Sequence, residues 1–125
     1  MGKMQRNKGA NAERELLSLL SDGLGLNLTR NLTQTREGGA DCDDLDGFAL
    51  EIKRHETLHL AQWWEQTLAQ AAGKIPVLAY RQSRKPWSFV VPMDYLNSDF
   101  PASNDLDFTA TLSLKGFILL VRMKK

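Results

Sequence analysis

The chain has 125 residues, 42% of them apolar, enough for one hydrophobic core and too few for two. A single cysteine, Cys42, excludes a disulfide framework, and the absence of any run of about 18 apolar residues, behind a charged beginning at Lys3 and Arg6, argues against a membrane span or signal peptide. The net charge of +1 hides segregation: six of the fifteen acids lie between Glu37 and Glu51, and the stretch from Gln66 to Met93 holds Lys74, Arg81, Arg84 and Lys85 without one carboxylate.

One cytoplasmic domain spanning residues 1–125 is expected, with a flexible basic terminus over 1–8 and a C-terminal extension over 94–125. Residues Gly9 to Asp22 read as a helix with Leu16, Leu17 and Leu20 on one face and Gly23 as its stop. Leu26 to Leu32 alternates as a strand, setting Leu26, Leu28, Arg30 and Leu32 against Asn27, Thr29 and Asn31. Ala40 to Asp43 and Phe48 to Arg54 read as two strands around a tight turn at Asp46-Gly47. Thr57 to Ala72 is a helix capped by Thr57, closed by Gly73, with Leu60, Trp64, Leu68 and Ala71 on its apolar face. Ile75 to Tyr80 and Trp87 to Val91 are strands flanking a basic turn, and Pro92 opens a short helical or turn segment. Asn97 to Asp107 resembles a linker. Leu114, Phe117, Ile118 and Val121 favour a final helix after Ser113 over a buried strand. The order gives a mixed α/β sheet with helices on its faces.

Two features break the packing pattern. Glu13 shares a helix face with Leu16, Leu17 and Leu20, so its carboxylate points toward the core and needs a partner, whether Arg14, the helix N-terminus or a cation. In Phe48 to Lys53, Phe48, Leu50 and Ile52 point one way while Ala49, Glu51 and Lys53 point the other, placing an acid and a base on one face. An exposed, salt-bridged strand would look the same, and the neighbouring strand carries the distinction. A three-residue loop of Leu45, Asp46 and Gly47 brings Asp41 opposite Glu51, whereas a two-residue turn brings Cys42 there and Asp44 opposite Ala49. Two adjacent carboxylates repel unless a cation lies between them, and oxygen donors suit Mg²⁺ or Mn²⁺ better than zinc.

Asp41, Glu51-Ile52-Lys53 and the helical Glu13 resemble the PD-(D/E)XK nuclease signature. The run Lys8-Gly9-Ala10-Asn11-Ala12-Glu13-Arg14-Glu15-Leu16, the segment Gly38-Gly39-Ala40-Asp41 and the strand Ile75 to Tyr80 are similar to archaeal-type Holliday junction resolvases and related small phage-encoded nucleases. No proline precedes Asp41, the hairpin to Glu51 is short, and nothing beyond about Asp94 has a counterpart. The resemblance implies a restriction-endonuclease-like sheet. It implies Mg²⁺, replaceable by Mn²⁺, bound by Asp41, Glu51, the Ile52 carbonyl and Glu13, with Lys53 completing the catalytic set. It further implies a homodimer acting on branched or four-way DNA, in the host cytoplasm if phage-encoded. A flap or branched-DNA repair nuclease, or a non-catalytic nucleic-acid-binding module, are the rival readings.

Backbone contact is expected from Lys3, Arg6, Lys8, Arg81, Arg84 and Lys85, with Trp87 as the stacking residue among them. His55 and His59 stand i, i+4 without a third ligand and read as surface histidines. Trp64 reads as core and Trp63 as either core or a stacking residue, while Gln66 and Gln70 lie on a polar stripe that could support the site or face solvent.

Overall fold

The computed structural model describes residues 2–31, 40–42 and 45–124, the first seven by backbone alone. Helix α1 (Gly2–Leu24) begins before the expected Gly9 and runs past Gly23 to stop at Gly25, whose φ of 68° is the left-handed conformation glycine takes without strain. Gly23 serves packing instead. A Cβ there would lie 2.5 Å from Ile118 Cδ1.

Strand β1 (Phe48–Arg54) leads into helix α2 (Leu60–Ala69) and strand β2 (Ile75–Arg81). Strand β3 (Ser88–Pro92) follows a basic turn, then come the short helix α3 (Met93–Leu96), a 3₁₀ turn (Leu106–Phe108), strand β4 (Thr109–Ser113) and helix α4 (Leu114–Met123). The sheet order is β1-β2-β3-β4, with β1 and β2 parallel and the later pairs antiparallel. A parallel pair needs a crossover, and α2 supplies it.

Strand alternation divides the core. Leu50, Ile52, Val77, Ala79, Phe89 and Val91 pack with Leu16, Leu17 and Leu20 of α1 and Phe117 and Val121 of α4. Leu78 and Val90 face the other way, onto Trp63 and Trp64 of α2. Phe117 anchors the first layer, stacked on Phe89 at 4.6 Å and edge-on to Phe48 at 5.9 Å.

The final helix is as expected, and its cap explains it: Ser113 Oγ accepts from the Gly116 amide at 3.0 Å. Strand β4 was not anticipated. Its residues do alternate, with Ala110 and Leu112 against the core and Thr111 and Ser113 exposed at the sheet edge, but two apolar side chains are too short a pattern to announce a strand. Within the stretch 94–125, β4 and α4 are thus integral to the sheet and its core, while Trp64 Nε1 donates to the Asn104 carbonyl at 2.9 Å and ties down the preceding loop.

Other expectations need correction. Leu26 to Asn31 form no strand, because the amides of Leu26 and Leu28 bond back to Ser21, the latter at 3.0 Å to its hydroxyl. Leu32 lies outside the described residues. Around Ala40, the backbone pairing among the described residues is a bridge between Cys42 and Leu50 and a bond from the Asn31 amide to the Asp41 carbonyl at 2.8 Å, and Asp43 and Asp44 lie outside the described residues. Helix α2 is shorter than Thr57 to Ala72: His59 takes the N-cap position without a side-chain bond, and Ala72 and Gly73 turn left-handed at φ 51° and 83°.

Candidate active site

The Cys42–Leu50 bridge decides the hairpin register. Their amides and carbonyls exchange bonds at 3.1 and 3.0 Å, and the Phe48 amide donates to the Leu45 carbonyl at 2.9 Å, closing a turn in which Gly47 holds φ 83°. Asp41 therefore stands opposite Glu51, the outcome of the three-residue loop.

Both carboxylates are buried, Glu51 at 2% and Asp41 at 5% exposure. They are held reciprocally. Asp41 Oδ2 accepts from the Ile52 amide at 2.7 Å, and Glu51 Oε1 accepts from the Asp41 amide at 3.3 Å. Lys53 Nζ lies 3.9 Å from Glu51 Oε2 on the same strand face and remains partly open to solvent. Burial, and then the Asp41 charge, push Glu51 up to about 7, against the opposing pull of Lys53 and the Asp41 amide.

Glu13 arrives from α1, half-buried beside Leu16, Leu17 and Leu20 as its helix face requires. Its carboxyl is raised by burial and by the Asp41 charge, with Arg30 and Lys53 opposing. The partner is Arg30, whose Nε meets Glu13 Oε2 at 2.7 Å, not Arg14, which donates to Asn11 at 3.2 Å. Sequence reasoning missed Arg30. Its signal was present: a cation in the set otherwise made of Leu26, Leu28 and Leu32.

Among the described residues no three His, Cys, Asp or Glu side chains form a ready metal cluster. The donor set nevertheless fits a hard divalent ion: two adjacent buried carboxylates, one of them held toward its neutral form by burial and then by the other's charge, and a third at the edge neutralised by an arginine. A cation between them would relieve that repulsion.

The residues expected to touch DNA divide. Arg84 and Lys85 are exposed on the β2–β3 turn, while Arg81 is tied to Glu15 at 2.9 Å. Trp87 is 5% exposed and lies under the Arg81 guanidinium, 5.8 Å from the ring centroid, so it cannot be a stacking platform in this conformation. Trp63, for which core and stacking were both available, is likewise buried, with the exposed His55 and His59 against its ring at 5.5 and 6.0 Å. Gln66 is exposed and Gln70 half-buried. The side chains of Lys3, Arg6 and Lys8 lie outside the described residues.

Comparison with known proteins agrees with this fold. The profile of the family described as "Phage putative PDDEXK endonuclease" matches residues 4–115, past Asp94, where the resemblance had ended, and through β4. The fold is similar to that of Hjc, a Holliday junction resolvase from the archaeal hyperthermophile Archaeoglobus fulgidus, at 22% identity and a TM-score of 0.50, over 90% of this chain and 88% of that one. None of the curated proteins compared matches. A helix-flanked mixed sheet of the Hjc type and a family match over most of its length make this chain a nuclease that belongs to the PDDEXK endonuclease family.

Proposed function

We propose that the protein is a Mg²⁺-dependent, structure-specific DNA endonuclease that resolves four-way junctions. The observation that carries the reading is the buried Asp41–Glu51 pair with Lys53 beside it, an arrangement expensive to keep unless it serves a cation and an anionic substrate. Asp41, Glu51 and the Ile52 carbonyl would hold the ion, with Glu13 joining them. When bound, the ion supplies Lewis acidity, making water a stronger acid and offsetting charge on the phosphate oxygens.

The remaining work falls to the protein's own groups. Lys53 donates toward the attacked phosphate or orients the water, from the face that also presents Glu51. Arg30 holds Glu13 in place until a cation competes for it. Hydrolysis leaves a 5′-phosphate. Arg84, Lys85 and the N-terminal basic residues grip backbone without reading sequence. A homodimer would set two such sites at fixed spacing for paired cuts. The similarity to Hjc supports the junction as target.

Incubation with four-way, flap and linear duplex DNA in Mg²⁺ tests the reading. Symmetric paired nicks on the junction alone support resolution; preferential cleavage of flaps would assign a repair nuclease. Failure to bind Mg²⁺ or Mn²⁺ in titration would leave a DNA-binding module.

A further inference from the structure

On the α1 side of the sheet, opposite the face that carries Glu51 and Lys53, two arginines stand abreast. Arg54 and Arg81 are register partners of β1 and β2, and with Asn11, Ala12 and Glu15 of α1 they line a cavity of about 340 Å³. Each guanidinium is already turned to oxygen acceptors. Arg81 Nη1 donates to both Glu15 carboxylate oxygens, at 3.0 and 2.9 Å. Arg54 Nη1 donates to Glu56 Oε1 at 3.0 Å and its Nη2 bonds Ser83 Oγ. The two carboxylates are far more exposed than the arginines they meet, 47% and 61% against 24% and 16%. Arg81 Nε is buried and has no hydrogen-bond acceptor among the described residues, with the Trp87 ring closing one side of the guanidinium.

An ion pair with a solvated glutamate is weak and easily exchanged. A phosphodiester offers the same paired oxygens to a planar fork, and two arginines side by side can share it. The cavity leaves room for that exchange. It also lies at the same end of the molecule as the carboxylate pair: Arg54 directly follows Lys53 at the end of β1, and the turn of α1 that supplies Glu15 to the cavity also carries Glu13, which feels the charges of Asp41 and Lys53, so a DNA backbone leaving Lys53 around the edge of the sheet comes to the paired arginines.

We propose that the Arg54–Arg81 cavity seats a backbone phosphate flanking the one that is cleaved, and that Glu15 occupies the seat in the free protein as an internal stand-in. The inference rests on the DNA-cleaving function proposed above. It makes Glu15 an acid that holds substrate off, a role opposite to that of a structural ion pair fastening α1 to β2.

The test is equilibrium binding of a labelled four-way junction by fluorescence anisotropy, without divalent ions, across a salt series. Glu15→Gln is expected to tighten binding about two- to fivefold, the scale of an exposed ion pair. Asp99→Asn, an equal charge change on the exposed loop after α3, is expected to leave it unchanged. Arg54→Gln should flatten the dependence of log affinity on log salt by about 0.9, one phosphate contact. Unfolding midpoints are measured beside these; if Arg54→Gln does not fold, Arg54→Lys replaces it, with weaker binding expected from the lost fork. Glu15→Gln behaving like Asp99→Asn, or binding more weakly, overturns the proposal, as does an unchanged salt slope in Arg54→Gln or unchanged affinity in Arg54→Lys. A cavity serving free phosphate alone would show that unchanged slope. No junction binding by the parent chain would overturn the proposed function itself, and this inference with it.

Discussion

Asp41 and Glu51 each bind the strand that carries the other: the Asp41 carboxylate takes the Ile52 amide at 2.7 Å, and the Glu51 carboxylate takes the Asp41 amide at 3.3 Å. The exchange fixes both side chains before any ligand arrives. It also holds two acids closer than their charges favour, which is why burial together with Asp41 raises Glu51 so far.

That strain has a pH signature. With a folded pKa near 7 against 4.5 for the free side chain, Glu51 keeps its proton in the native state while the unfolded chain has lost it. Its contribution to stability is full below about pH 4.5 and is lost as pH rises through 7. Glu13 shifts in the same direction. Denaturant midpoints without divalent ions should therefore fall between pH 5 and 8. Glu51→Gln should flatten that dependence and leave the metal-free protein more stable at pH 8 by on the order of a few kcal/mol. A parent protein equally stable at both pH values would contradict it.

Glu51→Gln and Lys53→Ala should each cut the rate of phosphodiester cleavage by about a hundredfold or more, the scale of losing one preorganised charge at a reacting centre. Neither touches the basic turn at Arg84 and Lys85, so junction binding should persist. Nicking and anisotropy assays on the same preparations separate the two effects. Full cleavage by either variant would remove it from the catalytic set.

Arg30→Ala leaves the half-buried Glu13 without the guanidinium that meets it at 2.7 Å. With Arg30 itself partly solvated, the loss is expected to be about 1 kcal/mol at pH 8. It should shrink at pH 5, where the raised Glu13 is closer to neutral. Urea melts at the two pH values provide the check, and an equal loss at both would mean that Arg30 acts through packing alone.

Phe117→Ala removes a fully buried ring stacked on Phe89 and edge-on to Phe48, and should cost about 3–5 kcal/mol. A loss under about 1 kcal/mol would show that α4 is peripheral to the core. Thermal unfolding would reveal it directly.

Local pattern made much of this legible. The alternation in Phe48 to Lys53 sorted Leu50 and Ile52 from Glu51 and Lys53, and helical periodicity put Glu13 with Leu16, Leu17 and Leu20, because backbone geometry sends those positions to fixed faces. Gly47 made Asp41 opposite Glu51 one of two available registers.

What periodicity could not supply was any relation between distant segments. Choosing between the registers took the Cys42–Leu50 bridge, and the partner of Glu13 lay seventeen residues on, at Arg30, in a segment whose alternation imitated a strand. The same holds for Trp63 and Trp87, whose rings were buried against the sheet at Leu78 and Val90 and under Arg81, and for β4, which exists because β3 offers it an edge. Sequence by itself determined which side chains leave each element on the same side. Only the tertiary structure decided which of them meet, since burial, charge pairing and edge pairing depend on what the rest of the chain brings alongside.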